Sequence, residues 1–205
     1  VSIPVVQSRQ PNLAELYDQD RIALYAGRFQ PAVRQSTGQI EVFGYAVKLL
    51  MGSIDQPDPI AVSQARAMLR HIGYELLEVD GRYFYLRDAG LAPPRGIFII
   101  DRTEPGQLLV ELPIPFESPY LAAGGLTVLK RLNAKALAIA PAEWTSDGAV
   151  ATDALTNYQS MFQEFHRAIA GHDALQLRAL GGGDRPQSTD EELGGDRQAG
   201  SRIVR

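Results

Sequence analysis

The chain has 205 residues, of which 45% are apolar and 21% are charged, and it contains no cysteine. These proportions are close to the soluble globular average, so a collagen-like, fully disordered or coiled-coil chain is excluded. The lack of cysteine excludes a thiol nucleophile, a Cys-ligated zinc site and an iron–sulfur cluster. The formal charge of −4 argues against a nucleic-acid partner, and no apolar run is long enough for a membrane-spanning helix.

The N-terminal segment is predicted to be an arm that leads into the fold. Residues 1–38 are expected to hold this arm and the first strand, together with a short helix that Asn12 caps. Enrichment in Ile, Val, Phe and Tyr predicts strands over residues 22–29 and 39–50.

A helix and a β-hairpin follow this segment. Asp58 precedes a proline, which is typical of a helix start because Asp accepts from the free amides and Pro fits the first turn. One apolar face then continues until Gly73. The Asp-Gly pair at 80–81 supplies the positive φ angles of a two-residue turn, so residues 74–79 and 82–87 are predicted to form a hairpin.

The second half alternates strands with helices. This order predicts βαβ units and hence a sheet with parallel strand pairs. The fold class is predicted as α/β or α+β, with a mixed central sheet, a hairpin section over 74–112, βαβ units to 178 and helices on the faces. The predicted elements are strands over 96–101 and 107–112 joined by a turn, a helix that opens at Ser118, a strand over 135–140, a helix over 155–169 and a strand over 174–178.

The composition shifts abruptly after the last of these strands. Residues 181–205 are rich in Gly, Asp, Arg, Gln and Ser, which predicts a flexible tail or loop after an α/β domain at 39–180. The chain begins with Val, and residues 201–205 are typical of the start of a strand. We therefore expect the chain to be part of a longer polypeptide.

Several carboxylates and one histidine are candidate acid–base groups. His166 lies on a predicted helix beside Phe165, and it is either a functional group or a surface or cap histidine. No two of the three histidines have the spacing of a helical metal-binding pair. Asp153 is either catalytic or the N-cap of the helix that follows. The carboxylates near strand ends, where open α/β sheets bind ligands, are Asp101, Glu111, Glu117, Glu143, Asp147 and Asp153.

Two aromatic residues flank the predicted crevice. Trp144 and Tyr120 offer a stacking surface for a sugar or a flat ligand, although such rings are more commonly packed in a core. Together with Glu117 and Gln176 they make up the predicted ligand-binding residues. The glycines do not occur in a phosphate-binding frame, and the sequence contains no G-x-S-x-G nucleophile motif.

Five short motifs between residues 107 and 178 carry a resemblance to a known family. They are Leu112-Pro113-Ile114-Pro115, Ala138-Ile139-Ala140 with Pro141-Ala142-Glu143, Thr152-Asp153-Ala154-Leu155, Ser160-Met161-Phe162 with His166, and Gln176-Leu177-Arg178. They resemble the Pro-His-Pro, Ala-His-Arg, Asp-x-Ala-His, Ser-x-Phe-x-x-x-His and Gln-x-His-Gly motifs of an uncharacterised bacterial family regarded as metal-dependent hydrolases. The resemblance implies a hydrolase-like scaffold over this segment.

The chain departs from that family at the metal-binding histidines. Ile114, Leu155 and Arg178 stand where the family has imidazoles, and Ala142 is a fourth such position. Isoleucine and leucine have no lone pair to donate, and arginine repels a cation. The resemblance therefore implies a degenerate member that holds no metal and no other cofactor, while Asp153, Ser160, His166 and Gln176 match the family's motifs.

The preferred functional hypothesis is a non-catalytic, hydrolase-like domain of a bacterial protein that acts in binding or assembly. Its partner is expected to be a protein, or a saccharide or peptide ligand. The resemblance and the lack of cysteine favour the cell envelope, in a periplasmic or extracytoplasmic location. Two alternatives stay open: a hydrolase that uses Asp153, His166 and nearby carboxylates, and a structural piece of a larger secretion or polymer-export machine.

Overall fold

The computed structural model describes residues 12–27, 35–90, 95–103, 106–116, 118–141, 159–169, 173–179 and 201–204. Within these ranges the chain forms five helices and seven strands. In chain order they are α1 (Leu13–Gly27), α2 (Thr37–Asp55), α3 (Pro59–His71), β1 (Tyr74–Val79), β2 (Tyr83–Asp88), β3 (Ile97–Asp101), β4 (Leu109–Leu112), α4 (Pro119–Arg131), β5 (Ala136–Ile139), α5 (Met161–Ala168), β6 (Ala174–Ala179) and β7 (Ser201–Val204). No described helix is both long enough and apolar enough to span a membrane.

All seven strands belong to one mixed sheet, in the order β1-β2-β3-β5-β4-β6-β7. Strand β4 is parallel to both of its neighbours, β5 and β6, whereas every other adjacent pair is antiparallel. The predicted α/β class with a mixed sheet is therefore confirmed. The predicted β-hairpin is also confirmed, because β1 pairs antiparallel with β2. The predicted two-residue turn is wrong: Val79 lies opposite Tyr83, so Asp80, Gly81 and Arg82 separate the paired positions and β2 begins one residue later than predicted.

The predicted hairpin section over 74–112 is wrong at its last strand. Strand β4 does not pair with β3, because β5 lies between them and is antiparallel to β3. Helix α4 connects β4 to β5 as a crossover, and a crossover returns the chain parallel to the strand it left. After β3 the chain therefore does not form the strand beside β3. It enters the sheet one position further away, as β4.

Residues 39–50 form part of helix α2, so the predicted strand is wrong there. Ser36 caps this helix: its side chain accepts from the Gln39 backbone amide, while the Gln39 side chain accepts from the Ser36 amide. The aromatic and branched residues that suggested a strand recur with a helical period of three to four residues, and this period outweighs composition. Buried residues with this spacing are Ile40, Phe43, Val47 and Leu50.

The strand predicted over 22–29 is also wrong, because helix α1 continues to Gly27 and residues 28 and 29 lie outside the described ranges. The short helix predicted after Asn12 is therefore four turns long. Tyr17 and Tyr85 anchor it: the Tyr17 hydroxyl donates to the Ala122 carbonyl, and the Tyr85 hydroxyl donates to Asp20. This part of the predicted arm is packed on the sheet.

Helices cover both faces of the sheet. Helices α2, α3 and α5 pack on one face, here called the α5 face, and helices α1 and α4 pack on the other, the α4 face. On the α5 face, the Phe98 ring centroid lies 4.9 Å from those of Phe43 and Phe165. These rings tie α2, β3 and α5 together at the centre of the core.

The predicted tail lies mostly outside the described residues. Of residues 181–205, the structure describes 201–204, which form β7 and pair antiparallel with β6. The predicted flexibility of 181–200 stays a prediction, as does the arm at residues 1–11.

Helices α2 and α5 approach each other closely at Gly44. A Cβ at position 44 would lie 2.6 Å from Oε2 of Glu164, whereas no atom lies within 4 Å of a Cβ at Gly52. We expect Gly52→Ala to raise the free energy of unfolding by about 0.5–1 kcal/mol, because alanine favours the helix. Gly44→Ala should not give this gain, because Glu164 must move. Urea unfolding of both variants tests the contact, and equal stabilisation would contradict it.

Candidate functional site

Strand β4 carries a carboxylate that is buried in the middle of the sheet. Glu111 is 1% exposed and lies opposite Ala138 of β5 and Gln176 of β6. Strand alternation places it on the α5 face, because Leu109, two residues earlier, belongs to that core. A buried carboxylate is strongly unfavourable unless other groups donate hydrogen bonds to it or pair with its charge.

Both oxygens of this carboxylate have a partner. Oε1 of Glu111 lies 2.8 Å from Nδ1 of His166, and Oε2 accepts a hydrogen bond of 3.0 Å from Nε2 of Gln176. We call these three residues the Glu111 cluster. It joins β4, α5 and β6 through side chains that are 55 and 65 residues from Glu111 in sequence.

Helix α5 holds His166 at the boundary between the core and solvent. The side chain of Ser160 accepts from the Gln163 amide and so starts the helix. Met161, Phe162 and Phe165 are buried against the sheet, as the helical period predicted. His166 is the next residue after Phe165, about 100° further around the helix axis. Its side chain is 43% exposed, although Nδ1 reaches the buried Glu111.

The contact with Glu111 decides which nitrogen of His166 carries a proton. If Glu111 is ionised, its carboxylate only accepts hydrogen bonds, and Nδ1 of His166 is then the donor. In a neutral imidazole Nε2 is then an acceptor, and in an imidazolium it is a donor. The described residues place no hydrogen-bond partner on Nε2. The cluster therefore presents one oriented ring nitrogen that is able to bind a ligand or to accept a proton.

The structure brings together some of the predicted site residues and separates others. His166 and Gln176 were predicted separately, and Glu111 was among the candidate carboxylates; all three meet in the cluster. Tyr120 is 82% exposed on the first turn of α4, which covers the other face of the sheet, so it does not belong to the cluster. Glu117, Glu143, Trp144, Asp147 and Asp153 lie outside the described residues.

Asp101 has a structural role. It is 2% exposed and lies 2.6 Å from Nη2 of Arg82, and it also accepts from the amide and hydroxyl of Thr103. These bonds stabilise the end of β3 beside the hairpin. Because β3 is antiparallel to β5, Asp101 at the end of β3 lies at the opposite edge of the sheet from the carboxyl ends of β4 and β5, where the crevice was predicted.

Two of the positions at which the family has metal-binding histidines are described in the structure. Ile114 follows β4 and Arg178 lies on β6, and neither side chain donates a lone pair to a cation. Ala142 and Leu155 lie outside the described ranges. Within those ranges no three His, Asp or Glu side chains are grouped so that they could hold a metal ion.

A second set of charged side chains lies at a cavity of about 390 Å³ beside β1 and β2. Arg87 lies 3.4 Å from Asp20 and 3.0 Å from Glu75, and Arg95 lies 2.5 Å from Asp88. Burial raises the pKa of both Asp20 and Asp88, while their hydrogen-bond partners lower it. Because each carboxylate is already paired with an arginine, this group is a structural ion-pair network.

Comparisons with known proteins identify no relative of this chain. Protein-family models, curated proteins and solved structures give no match to the chain.

Proposed function

We propose that this domain binds a ligand at the Glu111 cluster and acts in binding or assembly without catalysis. The observation that supports the proposal is the 1% exposed Glu111, whose two oxygens hold His166 and Gln176 at the edge of the core. Apolar side chains would join these three elements at least as stably, because burying a charge is costly. The side chain of His166 is 43% exposed, so a ligand from solvent has access to its ring.

The proposed ligand is a saccharide, a peptide or a segment of a partner protein. We place the domain in a bacterial cell-envelope protein with a degenerate hydrolase-like scaffold. The support for this setting is the motif resemblance of residues 107–178, in which Ile114 and Arg178 replace histidines. Where the family would bind a metal, this chain then has an apolar residue and a cation.

One observation favours hydrolysis as a second candidate function. A carboxylate that holds Nδ1 of a histidine orients the ring and stabilises the imidazolium, which is the arrangement of a general base. In that case Nε2 of His166 accepts a proton from water as the water attacks an ester or amide carbonyl. Asp153, the other residue named for this activity, is outside the described residues.

A ligand titration tests the binding function. We expect N,N′-diacetylchitobiose or trialanine to shift the NMR resonances of the His166 ring in a saturable manner. His166→Ala should weaken that binding by about two- to tenfold, since a hydrogen bond at Nε2 contributes roughly 0.5–1.5 kcal/mol. His71→Ala is the matched control, because His71 is exposed at the end of α3, away from the cluster.

The same variants separate binding from hydrolysis. If His166 is a general base, the wild type and His71→Ala should release p-nitrophenol from p-nitrophenyl acetate at least tenfold faster than His166→Ala. Equal rates in all three proteins contradict the hydrolase candidate. Chitobiose and trialanine titrations that leave the His166 ring unchanged contradict the binding function.

A further inference from the structure

We propose that a second site, a cavity beside helix α3, binds a small carboxylate that carries an apolar group, and that Arg66 and Arg102 hold its charge. We call this cavity the α3 cavity. It is distinct from the Glu111 cluster, because β1, which contributes to its wall, is four strand positions from β4 in the sheet, or about 19 Å. Its ligand therefore does not depend on the proposed function.

The α3 cavity has a volume of about 460 Å³ and lies where the turn between α2 and α3 meets the hairpin. A volume in this range is typical of sites for small ligands, which combine an apolar wall with a few polar groups. The charged residues of its wall are Asp58, Arg66, Glu78 and Arg102. The apolar residues include Ile54, Pro57 and Val62.

Two arginines converge on one carboxylate in this cavity. Nη2 of Arg66 lies 2.9 Å from Oε1 of Glu78, and Nη1 of Arg102 lies 2.6 Å from Oε2 of the same side chain. Arg66 also donates to the Leu76 carbonyl, and the Arg102 guanidinium lies 4.5 Å from the centroid of the Phe84 ring. Both guanidinium groups are thus oriented before a ligand arrives, which lowers the entropic cost of binding.

The charges of the wall favour a ligand with one negative charge. Glu78 balances one of the two guanidinium groups, so one positive charge is in excess there. The other carboxylate, Asp58, accepts from the amides of Ile60 and Ala61 as the N-cap of α3, where the helix dipole favours its charge. A carboxylate matches a single excess charge, whereas a phosphate group carries close to two negative charges at neutral pH.

The two arginines have further donors for this ligand. A guanidinium has five N–H donors. Among the described residues, Leu76 and Glu78 accept from Arg66, and Glu78 accepts from Arg102. The two arginine side chains are 37% and 33% exposed, so a ligand in the cavity has access to them. Charge-assisted hydrogen bonds from such groups to a carboxylate are stronger than neutral ones.

The apolar wall favours an aliphatic group on the ligand. Val62 and Arg66 are four residues apart on α3, so they share one side of the helix. Ile54, at the end of α2, lines the same cavity. A branched aliphatic group beside the carboxylate would cover these side chains while the acid reaches the arginines. Free short-chain acids and the C-terminal residue of a peptide both have this chemistry.

Titrations of the full chain at pH 7 and constant ionic strength test the proposal. The probes are isovalerate for a free acid, N-acetyl-leucine for a peptide end and N-acetyl-leucinamide as its uncharged counterpart, followed by NMR at the amides of Val62 and Ser63. We expect an acid to bind saturably and the amide to bind at least fivefold more weakly than N-acetyl-leucine, and the tighter acid identifies the source. The proposal is overturned if neither acid binds, if N-acetyl-leucine and its amide bind equally, or if inorganic phosphate binds more tightly than both acids.

Arginine variants test which groups hold the charge. Arg66→Gln and Arg102→Gln should each weaken binding of the acid by about five- to tenfold, because each removes a charge-assisted hydrogen bond from a partly exposed site. Arg70→Gln is the matched control: it removes the same charge from an exposed position on the same helix, outside the cavity wall, and should change affinity less than twofold. Equal affinities in wild type, Arg66→Gln and Arg70→Gln overturn the proposal, and Arg66→Gln decides alone if Arg102→Gln does not fold.

Two further variants separate charge from shape. Glu78→Gln removes the negative charge that competes for the arginines, so it should strengthen acid binding at least twofold, and unchanged or weaker binding contradicts the charge assignment. Val62→Ala should lower the affinity for isovalerate relative to acetate at least twofold, and an unchanged ratio contradicts the apolar assignment. His166→Ala should change acid binding less than twofold. Acid binding that requires His166 but not Arg66 lies at the Glu111 cluster and overturns the proposal.

Discussion

Replacing Arg95 by Met should lower the free energy of unfolding by about 3–5 kcal/mol at neutral pH, because it leaves a buried carboxylate without its counter-charge. The side chains of Arg95 and Asp88 are only 4% and 3% exposed, and Nε of Arg95 lies 2.7 Å from Oδ1 of Asp88. Arg95 also donates to the Ile72 carbonyl and lies over the Tyr74 ring. Methionine retains part of the packing but none of these hydrogen bonds.

The pH dependence of this loss identifies its cause. Burial already raises the pKa of Asp88, and Arg95 opposes that rise. Removing Arg95 should therefore raise the pKa of Asp88 further. A carboxyl whose folded pKa exceeds its unfolded value, about 3.9, contributes stability below that value and loses it as pH rises through the folded pKa. The deficit of Arg95→Met relative to wild type should thus shrink as the pH falls toward 4.

Urea unfolding between pH 4 and pH 8 checks this prediction. Adding Asp88→Asn to Arg95→Met should recover part of the lost stability at neutral pH, since the uncompensated charge is gone. Arg66→Met is the control: Arg66 and its partner Glu78 are 37% and 40% exposed, so its loss should stay within about 1 kcal/mol. A deficit in Arg95→Met that does not change with pH contradicts the assigned cause.

Replacing Phe165 by Ala should lower the free energy of unfolding by about 3–5 kcal/mol, because it leaves a cavity in the α5 face core. The side chain is fully buried, and its ring centroid lies 4.9 Å from that of Phe98. Because His166 is the next residue on the same helix, the variant should also lose ligand binding at the Glu111 cluster.

Thermal and urea unfolding measure the loss in Phe165→Ala. Tyr120→Ala removes a ring that is 82% exposed and should change stability by less than about 0.5 kcal/mol. Equal losses in the two variants would show that α5 is not docked through Phe165. If Phe165→Ala binds the ligand with wild-type affinity, the position of His166 does not depend on the packing of Phe165.

Local signals in the sequence predicted several elements correctly. The hairpin is one: Asp80 and Gly81 both have positive φ, 53° and 63°, as the Asp-Gly pair predicts. The starts of α3 and α4 are others, because Asp58 and Ser118 accept hydrogen bonds from the helix amides and a proline follows each. These signals depend on a few neighbouring residues, which is why they can be read directly.

Two predictions from composition were wrong where periodicity was informative. Aromatic and branched residues in α1 and α2 suggested strands, but their spacing buries one helical face of each segment. The capping box at Ser36 and Gln39 was a further local signal for α2. Composition indicates that a segment has apolar residues to bury. The spacing of those residues indicates whether they share one face of a helix or one face of a strand.

The chain by itself determined the hairpin, the capped helices, the alternation of strands and helices in the second half, and the candidates His166, Gln176 and Glu111. Only the tertiary structure decided that β5 lies between β3 and β4, and that these three candidates meet. Strand order depends on how a crossover packs against the sheet, and contacts across 55 and 65 residues depend on that order. No local pattern encodes either, so the Glu111 cluster follows from the fold.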